Sequence, residues 1–153
     1  MNKSKFAALL GIAVTSLVVS SAQADDAKIL HGTACTASSP SAAVYFTTDS
    51  AYTTTSSAFV FCPVIKDNTT TTAGLADLEV SVSNASGSMY CTAFSLDRYG
   101  NTLDSSTVYA ANGSDKVINF GSAINVSDSR GGYSVFCYLG AGDRLHSIYS
   151  LEQ

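Results

Sequence analysis

Two cysteine-bearing segments constrain this chain most. Residues 89–96 read Met-Tyr-Cys-Thr-Ala-Phe-Ser-Leu, and residues 132–139 read Gly-Tyr-Ser-Val-Phe-Cys-Tyr-Leu. Each sets a cysteine inside an apolar, aromatic run. A cysteine on a strand points at one face of its sheet. Two such cysteines clamp neighbouring strands or stitch one sheet to another. The segments predict a Cys91–Cys137 bridge.

The chain has four cysteines, with Cys35 and Cys62 completing the set. An even number in an exported chain implies disulfides. Four cysteines allow three pairings. Pairing Cys35 with Cys62 and Cys91 with Cys137 keeps each bridge within one half of the chain and joins the two strand-borne residues. There is no Cys-x-x-Cys and there are only two histidines, which argues against a zinc site. No metal or cofactor is expected.

Export is predicted by the first residues. Met-Asn-Lys-Ser-Lys leads into the apolar run 6–19 and then into Ser-Ala-Gln-Ala, with small residues at Ala22 and Ala24. This is the layout of a signal peptide cut after Ala24. The apolar run is too short for a membrane anchor. The expected organisation is a signal peptide over 1–24 and one secreted β-domain over 25–153. No membrane insertion is expected after cleavage, and the place of work is the periplasm or the medium. Cleavage leaves 153 − 24 = 129 residues and removes Lys3 and Lys5. The remainder holds 6 basic and 12 acidic residues, a net charge of −6. Such a chain offers no footprint for phosphate backbones, so nucleic acid and anionic membranes are excluded as partners.

Period-two alternation dominates the secreted part. In 78–83, Leu78, Val80 and Val82 alternate with Glu79, Ser81 and Ser83, giving one core face and one wet face. On the segment of Cys137, Tyr133, Val135, Cys137 and Leu139 share a face. The run 58–62 (Ala-Phe-Val-Phe-Cys) is continuously apolar and predicts a strand covered on both faces. Pro63 then marks an edge or an end. Further short strands are expected over 42–47, 106–110, 116–120 and 145–151. Residues 48–57 and 67–74 read as polar loops, and 84–88 and 97–101 as turns. No convincing helical period occurs after residue 24. About eight short strands at intervals of roughly ten to fifteen residues predict an all-β, antiparallel β-sandwich. Immunoglobulin-like and jelly-roll topologies both fit, though the absence of tryptophan speaks mildly against the former.

Several segments together resemble a group of short exported bacterial proteins with no assigned function. They are His31-Gly32-Thr33-Ala34-Cys35, the stretch Cys62 to Thr70, Leu78 to Val82, Cys91 followed by Asp97-Arg98-Tyr99-Gly100-Asn101, and Cys137-Tyr138-Leu139. The resemblance covers most of the secreted part. It implies a bacterial source and a shared four-cysteine fold, and brings no activity and no site residues.

Candidate chemistry is sparse. His31 and His146 could act as general bases, but there is no Gly-x-Ser-x-Gly elbow. Asp97, Asn101 and Asp104 offer oxygen ligands without EF-hand spacing. Gly140-x-Gly142 is followed by no helix, so it is no nucleotide loop. Asn68, Asn84, Asn112 and Asn125 begin Asn-x-Ser/Thr triplets, as chance supplies in a hydroxyl-rich chain. Tyr52 and Tyr99, expected in loops, could stack on sugars. No catalytic, cofactor or metal residue is assigned. The expected function is a non-catalytic exported module that binds a protein or glycan or serves the envelope structurally. The competing expectation is a small secreted hydrolase or inhibitor-like effector.

Overall fold

Nested strand pairs define the architecture. The structure, a computed structural model, describes residues 27–39, 43–67 and 74–152. The expected signal peptide and the loop residues 68–73 lie outside the described residues. The strands are β1 (Ala27–His31), β2 (Thr36–Ala37), β3 (Val44–Phe46), β4 (Ala51–Thr53), β5 (Ala58–Val64), β6 (Leu75–Asn84), β7 (Tyr90–Leu96), β8 (Thr102–Tyr109), β9 (Gly113–Asn119), β10 (Gly132–Leu139) and β11 (Arg144–Glu152). One 3-10 turn, Gly32–Ala34, separates β1 from β2.

β7 and β8 form a hairpin. β6 with β9 encloses it, β5 with β10 encloses those, and β4 with β11 encloses all three pairs. This long double ribbon is rolled so that β11 also pairs with β6 and β10 with β7. All pairs are antiparallel. One sheet runs β3-β4-β11-β6-β9, with β1 also on β11; the other runs β2-β5-β10-β7-β8. Nested pairing rolled into two sheets is the jelly-roll arrangement, which decides between the two topologies the sequence left open.

The core lies between the sheets. Leu78, Val80 and Val82 are at most 1% exposed and face it, as the alternation predicts. Ile118, Leu145 and Ile148 join them from the six-stranded sheet; Val60, Val135 and Leu139 close it from the five-stranded one. Both disulfides form as expected. Cys91 stands directly opposite Cys137 in the β7–β10 ladder, with Cα atoms 4.0 Å apart. Cys35, just before β2, reaches Cys62 on β5. Each bridge therefore clamps neighbouring strands of the five-stranded sheet, with the sulfurs turned into the core.

Three expectations need correction. The segment 48–57 is not all loop, because β4 lies within it. Ala51 and Thr53 are buried, and the Thr53 hydroxyl satisfies itself on the Gly140 carbonyl oxygen. A threonine with an internal acceptor can take a core position that its polarity hides in the sequence. The run 58–62 is covered on one face only: Val60 and Cys62 are buried, while Phe61 is 41% exposed. The flanking strands are longer than the periodicity suggests, β8 beginning at Thr102 and β9 at Gly113. Pro63 sits within β5, past the stretch where β2 pairs with it, so its missing N–H leaves no rung broken on that side.

Candidate functional site

The outer face of the five-stranded sheet carries a row of aromatic rings. Its origin is the phase of the strands. Where Val60, Cys62, Cys91, Val135 and Cys137 point inward, their neighbours Phe59, Phe61, Tyr90, Phe136 and Tyr138 must point outward. Register then aligns them across the sheet. Phe59 is opposite Tyr138, Tyr138 opposite Tyr90, and Tyr90 opposite Tyr109. The rings touch in sequence: Phe59–Tyr138 at 5.2 Å, Tyr138–Tyr90 at 5.5 Å and Tyr90–Tyr109 at 5.3 Å between centroids. Phe136 stacks on Phe59 at 4.9 Å from the next row. Two near-parallel pairs, with interplanar angles of 12° and 16°, are thus joined by the tilted Phe59–Tyr138 contact. Each such contact contributes about 0.5–1.5 kcal/mol beyond burial and holds the rings in place.

The row crosses four strands, roughly 15 Å at one strand spacing per step. It ends on the edge strand β8, where Tyr109 is 72% exposed. Alongside runs a polar rung, with Thr92 and Thr107 paired across β7 and β8 and their hydroxyls 2.8 Å apart.

The opposite face of the sandwich is different. The outer side of the six-stranded sheet holds a hollow of about 380 Å³ lined by Ser81, Val82, Asp115, Lys116, Val117 and His146. His146 sits at an irregularity in the β11–β6 register, and its Nε2 lies 3.0 Å from the Ser83 hydroxyl. Among the described residues no carboxylate hydrogen-bonds this imidazole. His31 is exposed at the end of β1, opposite Ser147 and therefore on the strand beside His146, one residue out of register with it. The two histidines thus lie on neighbouring strands, and among the described residues no hydrogen bond joins them.

The Asp97 carboxylate accepts hydrogen bonds from the Tyr99 and Asn101 amides and from the Asn101 side chain, all at 2.8 Å. Donation by Asn101 holds its pKa below the usual aspartate value. Asp104 accepts from the Ser105 and Asn125 amides. These oxygens bind the backbone of their own turns, and among the described residues no cluster of three His, Cys, Asp or Glu side chains could hold a metal. Gly140 and Gly142 belong to the β10–β11 turn, closed by Asp143 onto the Gly140 amide. Asn84, a triplet asparagine, is buried and donates to the Ala110 carbonyl.

Tyr52 lies on β4 rather than in a loop, with Tyr45 beside it at 5.5 Å and the Arg144 guanidinium 5.1 Å from its ring. Tyr99 is 80% exposed on the 97–101 turn. Neither belongs to the aromatic row. Lys66 lies against the Tyr133 ring and donates to the Ser127 hydroxyl. Burial pulls the lysine pKa down and pushes that of the Tyr133 phenol up. This polar cluster ties the end of β5 to the segment before β10.

No protein-family model matches the chain, and no curated protein sequence matches it. Solved structures do. A low-affinity xylan-binding module from the gut symbiont Roseburia intestinalis superimposes with a TM-score of 0.51 at 11% identity, over 84% of this chain and 96% of that one. A family two carbohydrate esterase from Cellvibrio japonicus gives 0.48 at 7% identity, over 85% of this chain. The enzymatically active domain of tailspike protein 4 from bacteriophage CBA120 gives 0.49 at 14% identity, over 82% of this chain. The chain spans only 35% of the esterase and 19% of the tailspike protein. At these identities the xylan-binding module shares the fold and nothing finer.

Proposed function

We propose that this chain is an exported, non-catalytic module that binds glycans on the outer face of its five-stranded sheet. The observation that carries this reading is the row Phe59–Tyr138–Tyr90–Tyr109. A sugar ring has an apolar face of C–H groups and a rim of hydroxyls. An aromatic row bordered by phenol and threonine hydroxyls matches both. Tyrosine gives a large, amphipathic contact for two side-chain torsions. Rings already braced against one another lose little further freedom on binding. The shared fold of a xylan-binding module is in keeping with this use of the sandwich.

Two disulfides require an oxidising compartment to form and persist. Among the described residues no helix is long and apolar enough to cross a membrane. The signal-like residues 1–24 extend the reading to secretion, and the four-cysteine resemblance to a bacterial source.

Hydrolysis is the second reading, and the Ser83–His146 contact is what favours it. A nucleophile–base pair needs a third group to orient the base. That pair has no such partner among the described residues, so binding is preferred.

The experiment is retention of the purified protein on insoluble and gel-embedded polysaccharides. Wild type should be retained, Tyr90→Ala and Tyr138→Ala should not, and Tyr99→Ala should behave as wild type. Equal retention of all four proteins would remove the aromatic row from the function. Turnover of ester or glycosidic substrates that His146→Ala abolishes in a folded protein would favour the hydrolase instead.

A further inference from the structure

The two sheets divide the charge unequally. β5, β7, β10 and β8 contain one ionic side chain, Asp104, and no lysine, arginine or histidine. Asp104 is opposite Ser95, an inward position, and is occupied by the Ser105 and Asn125 amides. The other sheet is the charged one. Lys28 and His31 on β1, Asp77 and Glu79 on β6, Asp115 and Lys116 on β9, and Arg144, His146 and Glu152 on β11 all belong to it.

The connections beside the row repeat the pattern. Residues 54–57, 85–89 and 110–112 contain no ionisable side chain. The fourth connection, 140–143, contains only Asp143, which is 0% exposed. The nearest charges on β5 and β7 follow their other ends, at Lys66 and Asp97. An aromatic row in an acidic protein thus lies on strands, and between connections, that carry no basic side chain.

From this, and resting on the glycan reading above, we propose that the row takes an uncharged polysaccharide, laid across the strands and free to run on past the β8 edge. A uronate or sulfated chain would bring charges onto a surface with no cation to meet them, and its counterions would be stripped for no return. A neutral chain loses only hydroxyl hydration, which the phenols and the Thr92–Thr107 rung replace. Direction follows from the row, since the ring contacts run from strand to strand rather than along any one of them. Its Tyr109 end is open, with no strand beyond β8 among the described residues. Nothing there would demand a chain terminus, so internal stretches bind.

Affinity electrophoresis of the full secreted protein tests this with two sets of gels. One holds neutral polymers (xylan, galactomannan, mixed-linkage glucan); the other holds acidic ones (polygalacturonate, alginate, chondroitin sulfate). Retardation is expected only on neutral gels and should be the same in dilute and concentrated salt. Tyr109→Ala should weaken it about tenfold, the loss of one ring contact. Retardation on acidic gels alone, relieved by salt, would overturn the neutral-ligand inference while leaving glycan binding in place. Retardation on no gel of either set would remove the glycan reading itself. Oligosaccharides from the retarding polymer, with the reducing end blocked, should compete as well as free ones. Competition that needs a free end would overturn the open-ended arrangement. Loss of retardation in Tyr109→Ala must come with an unchanged melting temperature, and Thr107→Val supplies a second variant that removes the rung without removing a ring.

Discussion

The Asp143 carboxylate holds Ser86 by two hydrogen bonds: Ser86 donates its amide to Oδ1 and its hydroxyl to Oδ2, both at 2.8 Å, and the adjacent Ala85 amide also donates to Oδ1. The Gly140 amide donates to Oδ2 at 2.7 Å. One buried side chain thus locks the β6–β7 turn to the β10–β11 turn. Those turns border the strand ends that carry Tyr90 and Tyr138. Asp143→Ala would leave one buried donor, the Gly140 amide, and three part-buried ones without their acceptor, and should destabilise the protein by about 2–3 kcal/mol. Urea melts check this. In a protein still folded at low temperature, glycan retention should fall as well, because two rings of the row lose their footing. Retention unchanged in a variant clearly destabilised would separate the turn from the site.

Gly140 makes the same junction from the other side. A Cβ there would come within 2.3 Å of the Ser86 hydroxyl and 2.5 Å of its Cβ. Gly140→Ala must therefore push the turns apart, and its melting temperature should fall well below that of Ala141→Ser on the exposed neighbour. Similar melting temperatures for the two would mean that the turns are not tightly packed.

Much of this frame was legible from alternation. Leu78, Val80 and Val82 declared their face because Glu79, Ser81 and Ser83 stand between them. The cysteine pairing followed from which cysteines sat inside strands. The aromatic row was harder to see, since Phe59 and Phe61 sit in a run where inward and outward residues are both apolar. Period two then disappears from hydropathy, and the strand reads as covered on both faces. The outward phase could still be had from Cys62 and Cys137, whose burial fixes the opposite face for Phe61, Phe136 and Tyr138. Alignment of the four rings was beyond the sequence, because it depends on register between strands up to eighty residues apart (Phe59 and Tyr138). β4 escaped for another reason: Thr53 is polar, and only the structure supplies its acceptor.

Register of β6 gives a sharp contrast. Val80→Asp would put an unpaired carboxylate between the sheets and should destabilise by several kcal/mol, about 3 or more. Ser81→Asp, one residue on and facing outward, should change stability by less than about 0.5 kcal/mol. Equal melting temperatures for the two variants would show the strand turned over.

The two disulfides should differ in what their loss releases. Cys91–Cys137 links strands already paired along seven residues, whereas Cys35–Cys62 secures a strand, β2, of only two. In the chain-entropy account each contributes about 3–4 kcal/mol. Replacing Cys91 and Cys137 by alanine should lower global stability without changing which amides exchange first. Replacing Cys35 and Cys62 should also expose the amides of Thr36 to Ser38 to early exchange. Native-state hydrogen exchange of both double variants decides, and matching exchange patterns would show β2 held by something other than the bridge.

Acid should act first on the exposed turns. Asp97 has its folded pKa lowered, chiefly by donation from the Asn101 side chain and amide. A depressed carboxylate adds stability that is fully present above the unfolded value, near 3.8, and is lost as pH falls through the folded value. Between those two values the unfolded chain binds the proton and the folded one does not, so stability must fall toward acid. Asp97→Asn has no proton to take up at this site. Its stability at neutral pH should be lower than wild type, through loss of the charged acceptor, and its decline into acid should be shallower. Asp49, lowered by donation from Thr47 and Ser50, keeps part of the slope in that variant. Only the double substitution Asp49→Asn with Asp97→Asn should flatten most of it. Urea midpoints measured from neutral pH down through pH 3 supply the comparison, and parallel curves for wild type and the double variant would mean that neither turn carries the acid sensitivity.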